Sequence, residues 1–146
     1  MDLKKKIAVL LSIHERPVSS FLKSIKGNIF VDLGANYGYY SLLLHNNFRK
    51  TYAFEPIQPL FEELKLNLGK FEDVMCVNKA VSNADRQKWR SDYHGVEGKA
   101  ETITLASFFP NEKIDLVKMD VEGEEWKALE GAQPIIKNID SWMIEL

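Results

Sequence analysis

The sequence predicts an α/β domain in which a mostly parallel β-sheet is covered by helices on both faces. Three observations carry this expectation. From Ile29 onward, short apolar runs alternate with segments of helical periodicity, the pattern of β-α-β units. The first run closes on Gly34 and the second on Glu55-Pro56, both turn signals at strand ends. The chain has 146 residues, 45% of them hydrophobic, which suits one domain with a single core and leaves no room for separate cofactor and substrate domains.

The elements follow in order. Residues 1–28 hold six Lys and Arg against two acids, and Lys4-Lys5-Lys6 followed by the apolar stretch 7–13 imitates a secretory signal. That stretch is minimal, and His14-Glu15-Arg16-Pro17 follows without a small-residue cleavage site, so export is not expected. No run approaches the roughly 20 apolar residues of a membrane span, and a cytoplasmic location is expected. Residues 1–27 are expected to be a helical segment of the single domain: an amphipathic helix with Leu3, Ile7, Leu10 and Leu11 on one face, ended before Pro17, then a short helix through Phe21, Leu22 and Ile25. The core, 28–146, opens with a buried strand over 29–33 and a helix over 36–45 whose inner face carries Tyr40, Leu43 and Leu44. A second strand, 52–54, stops at Glu55-Pro56. The next helix has Pro59 in its first turn, Leu60, Phe61, Leu64 and Leu68 on one face, and Gly69 as its cap. A third strand spans 74–77. Residues 82–101 are polar, with Asn83, Asp85, Gly95 and Gly98 as turn signals, and read as irregular with a hairpin. A fourth strand covers 114–119, a helix over 124–129 is interrupted by Gly131 and Pro134, and a fifth strand runs over 142–146.

Composition excludes several function classes. Nineteen Lys and Arg face 21 Asp and Glu, and a net charge of -2 supplies no overall cationic field for a phosphate backbone, so nucleic acid is not an expected partner. The one cysteine, Cys76, excludes an internal disulfide and a multi-cysteine metal site; between Met75 and Val77 it reads as a buried thiol in a reducing compartment. His14, His45 and His94 lack ligand-like spacing, so no histidine metal site is expected. His94, beside Tyr93 in the irregular stretch, reads as a surface loop residue rather than a pocket base.

Ligands of such sheets sit beyond the carboxyl ends of the strands. In the first turn, Asp32-Leu33-Gly34-Ala35-Asn36-Tyr37-Gly38, Gly34 permits close backbone approach, Gly38 permits close packing of the helix, and the helix start is expected to offer free N–H groups to a carboxylate. An acid, Asp32, is unsuited to a pyrophosphate and suits a ligand with a positive end. A third glycine is missing, and both features argue against a dinucleotide-dependent oxidoreductase. Glu55, 21 positions after Gly34, stands where an acid can accept both hydroxyls of a ribose. A cationic amino-acid portion plus a ribose describes S-adenosylmethionine. The third turn carries Asp120, Glu122, Glu124 and Glu125 after the fourth strand. The first two are candidates for work on a substrate, while the last two read as acids offsetting a helix dipole.

With that turn, DLVKMDVEGEEWKALEGA (115–132), the sequence closely resembles the FkbM family of S-adenosylmethionine-dependent methyltransferases. VDLGANYGYYSLLL (31–44), YAFEP (52–56) with the following Leu64 and Asn67, and NKAVSN (78–83) complete the resemblance, which runs over residues 28–146 in order. It implies a Rossmann-like class I methyltransferase fold, a three-layer α/β/α sandwich with sheet order 3-2-1-4-5, and O-methylation of a hydroxyl on a carbohydrate, polyketide or similar small metabolite. Carried over by position, Asp32, Gly34, Asn36 and Gly38 would form the methionine side of the cofactor site, Glu55 would hold the ribose, and Asn78, Lys79 and Ala80 would flank adenine. Asp120 and Glu122 would face the transferred methyl, drawing the proton from the hydroxyl directly or through a divalent cation that acidifies it. One departure stands out: an acid often follows Thr-Leu before the fourth strand in this family, and here Thr104-Leu105 is followed by Ala106-Ser107.

Methyltransferases of this fold usually continue into strands six and seven, which this sequence is expected to lack. An unpaired apolar edge at 142–146 would seldom be left bare. It is expected to be covered by a second copy or partner chain, by the N-terminal helices, or by sequence beyond 146. A cofactor-binding module without catalysis, or a half-enzyme that needs a partner, is the alternative reading.

Overall fold

The computed structural model describes residues 7–9, as backbone, and residues 20–145. Its central sheet has the order β4-β3-β2-β8-β9-β1, all parallel, where β1 is Ile7–Val9, β2 Gly27–Leu33, β3 Phe48–Phe54, β4 Val74–Val77, β8 Leu116–Met119 and β9 Trp142–Ile144. Strands one to five of the expected order 3-2-1-4-5 are therefore β2, β3, β4, β8 and β9. A second sheet, β5-β7-β6, is built from Ala80–Val81, Val96–Ile103 and Lys88–Tyr93, the last two forming an antiparallel hairpin. The helices are α1 (Tyr39–Leu44), α2 (Gln58–Leu68), α3 (Leu105–Phe108) and α4 (Glu125–Ala132), with 3-10 turns at His45–Asn47 and Gln133–Asn138. No helix among the described residues is long and apolar enough to cross a membrane.

Period-2 alternation along β2 and β8 divides the core into two layers. Val31, Leu33, Val117 and Met119 join Trp142 and Ile144 beneath Leu105, Ala128 and Ala132 of α3 and α4. On the opposite face Phe30, Leu116 and Met143 meet Leu22 and Leu44, and Ala53 packs under Leu64 and Leu68 of α2. Leu33, Val117, Met119, Leu64 and Leu68 are completely buried, so both layers exclude water.

Local chemistry explains where the elements depart from expectation. The first helix begins at Tyr39 rather than 36 because Asn36 (φ 54°) and Gly38 (φ 92°) are left-handed and a helix cannot run through them. The second strand is longer than its apolar run because parallel pairing with β2 extends from Phe48. The helix at 124–129 is not interrupted by Gly131. It continues to Ala132, and Gly131 is needed because a Cβ there would lie 2.0 Å from the Ser82 carbonyl oxygen. Gly69 closes α2 with right-handed dihedrals (φ -63°) instead of a left-handed cap. In the polar stretch, Tyr93 and Val96 flank a two-residue turn in which His94 (φ 48°) and Gly95 (φ 80°) are both left-handed, matching the twist of the hairpin. His94 sits exposed at that tip. The acid missing after Thr104-Leu105 has a stand-in: Asp85 accepts from the Thr104 N–H (2.7 Å) and from the Ser107 hydroxyl at the start of α3. Those bonds, that from Ser107 foremost, hold its carboxyl below the usual range.

The N-terminal expectation is corrected. Ile7–Val9 is a strand, paired in parallel with Trp142–Ile144, and not part of an amphipathic helix. The run Ile-Ala-Val is β-prone, and an open sheet edge offers it a ladder that an isolated helix cannot match. The edge at 142–146 is thus covered by the N-terminal segment, in strand form. The other residues assigned to that first helix, with Lys4-Lys5-Lys6, His14 and Pro17, lie outside the described residues, as does Leu146. Of the second short helix, residues 20–23 are helical and Ile25 lies beyond its end.

The first turn and the end of β8 approach each other closely. A Cβ on Gly34 would stand 1.8 Å from the Asp120 carbonyl oxygen, and Gly34 is left-handed (φ 74°). Gly34→Ala is expected to cost roughly 2–5 kcal/mol, from overpacking and backbone strain together, read as a lowered urea midpoint with an unchanged slope.

Candidate functional site

The carboxyl ends of β2, β3 and β8 converge with the hairpin on an open cleft. It encloses about 830 Å³ outside protein atoms, solvent at its mouth included, a size that admits a nucleoside-bearing ligand. Its walls are supplied by the turn after β2 (Gly34, Asn36), the turn after β3 (Glu55, Ile57), the segment 79–81, the inner side of β6, and the turn after β8 (Asp120, Glu122).

Glu55 organises the floor. Its side chain is 4% exposed, and its two oxygens accept from the Asn36 and Ile57 N–H groups, each at 2.9 Å. The Phe54 carbonyl accepts from both Gly34 (3.0 Å) and Ala35 (2.9 Å). The Gly34, Ala35 and Asn36 amides, which precede the helix start, are therefore engaged by Phe54 and Glu55. Burial pushes the Glu55 carboxyl above its usual 4.5, opposed by the Ile57 and Asn36 N–H groups and helped by nearby Asp32. With its folded value raised, ionised Glu55 lowers stability at neutral pH, and that deficit disappears as pH falls through the raised value towards 4.5.

Below the floor lies a buried charge pair. Asp32 and Lys118 are opposite each other in the β2–β8 ladder, and the Lys118 Nζ stands 3.5 Å from Asp32 Oδ1. The Asp32 side chain is 0% exposed and that of Lys118 4%. The Ser41 hydroxyl of α1 donates to Asp32 Oδ2 at 2.8 Å, and the Lys118 ammonium also lies 4.8 Å from the centre of the Tyr40 ring and 3.9 Å from Asp120 Oδ2.

The predicted site residues divide accordingly. Gly34, Asn36, Glu55, Lys79, Ala80, Asp120 and Glu122 line the cleft. Asp32 does not: it sits one layer down, where its cationic partner is Lys118. Gly38 is packed beneath α2, where a Cβ would come within 2.8 Å of Leu64 and Leu68 Cδ1 atoms. Asn78 is a staple, its amide donating to the Glu55 (2.9 Å) and Pro56 (3.2 Å) carbonyls. Lys79 pairs with Glu101 of β7. Glu124, assigned to a helix terminus, also reaches the cleft.

The sequence places a hairpin within 82–101 but does not single out the residues of its wall. Along Lys88–Tyr93, half-buried positions alternate with exposed ones, so Trp89, Ser91 and Tyr93 share a side and all three line the cleft. The spacing 89-91-93 was the available signal. Among the described residues, no group of three or more His, Cys, Asp or Glu is arranged to hold a metal ion.

Residues 32–146 match the methyltransferase FkbM domain. The chain belongs to the FkbM methyltransferase domain family. Its cleft thus lies within the matched span. Solved structures share the fold at low identity. An rRNA methylase from Streptococcus thermophilus superposes with a TM-score of 0.59 at 16% identity, covering 91% of this chain and 74% of that one. TrmK of M. capricolum, solved in complex with S-adenosyl-homocysteine, gives 0.55 at 18%, covering 90% and 51%. A precorrin 8w decarboxylase from Methanobacterium thermoautotrophicum gives 0.55 at 16%, covering 92% and 62%. The chain spans about half the length of TrmK. A search of curated protein sequences returns no match.

The charge pair beneath the FkbM cleft makes a definite prediction. Lys118→Met leaves Asp32 buried and uncompensated and is expected to cost about 3–5 kcal/mol in urea unfolding. Asp32→Asn in the same chain removes that charge and is expected to recover much of the loss.

Proposed function

We propose that the protein binds S-adenosylmethionine in this cleft and methylates a hydroxyl of a small metabolite such as a carbohydrate or polyketide. The observation that carries this reading is Glu55. Each of its oxygens accepts one backbone amide and keeps a lone pair for a further donor, the arrangement a vicinal diol requires. The rest of the donor set fits the same ligand. Asn36 Oδ1 is a buried acceptor with no partner among the described residues, suited to an amino or hydroxyl group. Ile57, Leu60, Ala80 and Val81 give an apolar wall for a purine, and Asp120, Glu122 and Glu124 place negative charge where a cationic ligand gains from it.

S-adenosylmethionine, when bound, supplies a methyl group on a positively charged sulfur. The protein's own work is to hold, orient and deprotonate. Gly34 and Asn36 would support the methionine portion, Glu55 the ribose, and Lys79 with Ala80 the adenine. Asp32 and Gly38 contribute from below, by holding the turn. Asp120 would accept the proton of the hydroxyl, with Glu122 beside it. Family membership supports methyl transfer, and the acids at the cleft mouth, which can take up a hydroxyl proton, support a hydroxylated acceptor.

Calorimetric titration with S-adenosylhomocysteine tests the reading: saturable binding is expected, and no binding at millimolar ligand would sink it. Glu55→Ala is expected to weaken that binding at least tenfold, the loss of charge-assisted hydrogen bonds of about 1.5–3 kcal/mol. In the wild-type protein affinity should fall as pH drops through the raised Glu55 value, because a protonated carboxyl loses acceptor capacity. A flat pH profile would remove Glu55 from the site.

A further inference from the structure

We infer that Glu145 is a positioning residue for Asp120: the two carboxyl groups, side by side at the tips of β9 and β8, share a proton, and the pair is the acceptor for the proton of the substrate hydroxyl. This rests on the methyltransferase reading and adds to it a residue that the sequence did not single out.

Register places the two groups together. Lys118 pairs with Met143 and Met119 with Ile144, and the Glu145 N–H donates to the Met119 carbonyl at 2.9 Å, so the ladder holds through this residue. Asp120 and Glu145 directly follow the last pair of the ladder, Met119 and Ile144, and the Lys118 ammonium, two positions before Asp120, reaches its Oδ2 at 3.9 Å on the face they share. The Asp120 carboxyl lies close enough to that of Glu145 to act on it. Two ionised carboxylates so placed offer acceptors only and repel, and a shared proton turns that repulsion into a hydrogen bond.

The surroundings favour keeping that proton. Lys118 on β8 is the nearby cation, and its ammonium lies nearer to Asp32 on β2 (3.5 Å) than to Asp120 (3.9 Å). Glu122, on the turn after β8, adds negative charge. Tyr40 of α1 contributes a ring face toward Lys118. That one ammonium is shared by Asp32, Glu55, Asp120 and Glu145, the first two of them buried. Burial, then Asp120, pushes the Glu145 carboxyl above its usual value, with Lys118 opposing. Asp120 faces the cleft with its side chain 36% exposed. Glu145 does not line the cleft and acts through Asp120.

The step balances. As the hydroxyl oxygen bonds to the methyl carbon, the electron pair of the carbon–sulfur bond returns to sulfur, whose positive charge is lost. The hydroxyl proton moves to Asp120. The pair then carries two protons and releases one to solvent.

Carboxyl 13C NMR titration of the full chain tests this, on the wild type, on Asp120→Asn and on Glu145→Gln. The free wild-type protein is expected to show a two-step coupled titration, with the upper midpoint above the ordinary glutamate value. In Asp120→Asn, Glu145 should return toward that value; Asp120 in Glu145→Gln is the reciprocal reading should the first variant not fold. Saturation with S-adenosylmethionine, which carries a sulfonium, should lower the upper midpoint relative to saturation with neutral S-adenosylhomocysteine. A Glu145 midpoint unmoved by Asp120→Asn overturns the pairing. Equal midpoints with both ligands bound overturn its placement at the reacting end. Binding of neither ligand overturns the cofactor reading itself, and with it the proton role.

Discussion

The architecture of the site depends on the buried ion pair between Asp32 and Lys118. These residues stand opposite each other in the two central strands, β2 and β8, with almost no exposure to water, and removing either would leave an uncompensated charge in the core. Such a pair tolerates one register only. A slip by one residue would turn both side chains to the opposite face, into the layer formed by Val31, Val117 and Met119. By locking β2 against β8, the pair sets the close approach of Gly34 to the Asp120 carbonyl and delivers both turns to the same cleft. The Ser41 hydroxyl extends the lock to α1.

From that constraint the electrostatics of the cleft follow. Lys118 lies nearer to Asp32 than to Asp120, and Glu124 is paired with Lys127, so Asp120 and Glu122 are the acids at the mouth on the side of β8, while Lys79 and Arg90 line the opposite side. Glu55, in contrast, is held by backbone hydrogen bonds rather than by an ion pair. On the proposed function, two kinds of carboxylate would divide the cleft: one to accept from hydroxyl groups, the others to meet positive charge and protons.

Much of this was legible in the sequence. The runs 29–33, 74–77 and 114–119 show parallel strands because covered segments are mostly apolar, with Asp32 and Lys118 as the buried exceptions and β4 only half-buried at the sheet edge. Gly34 and Glu55 were legible because a close approach and an acid at a strand tip each demand one residue type. What escaped had no local signature. Asp32 reads as a ligand-facing acid until Lys118 is known to lie opposite, and that contact joins positions 86 residues apart. Ile7–Val9 carries an apolar pattern compatible with helix or strand, and only the free edge of β9 decides between them. The hairpin wall was obscured because Trp89, Ser91 and Tyr93 are polar or amphipathic residues separated by charged ones. Glu145 gained meaning only from its register against β8.

The central claim is that the two strand-end turns and the end of β8 together form one cofactor site. Backbone amide NMR of the full chain titrated with S-adenosylhomocysteine tests it most directly. The account predicts that the largest shifts cluster at Gly34 to Asn36, Glu55 to Ile57, Lys79 to Val81 and Asp120 to Val121, with Trp89 and Tyr93 following from the hairpin. Saturable shifts confined to other faces of the molecule, with these amides unmoved, would contradict it.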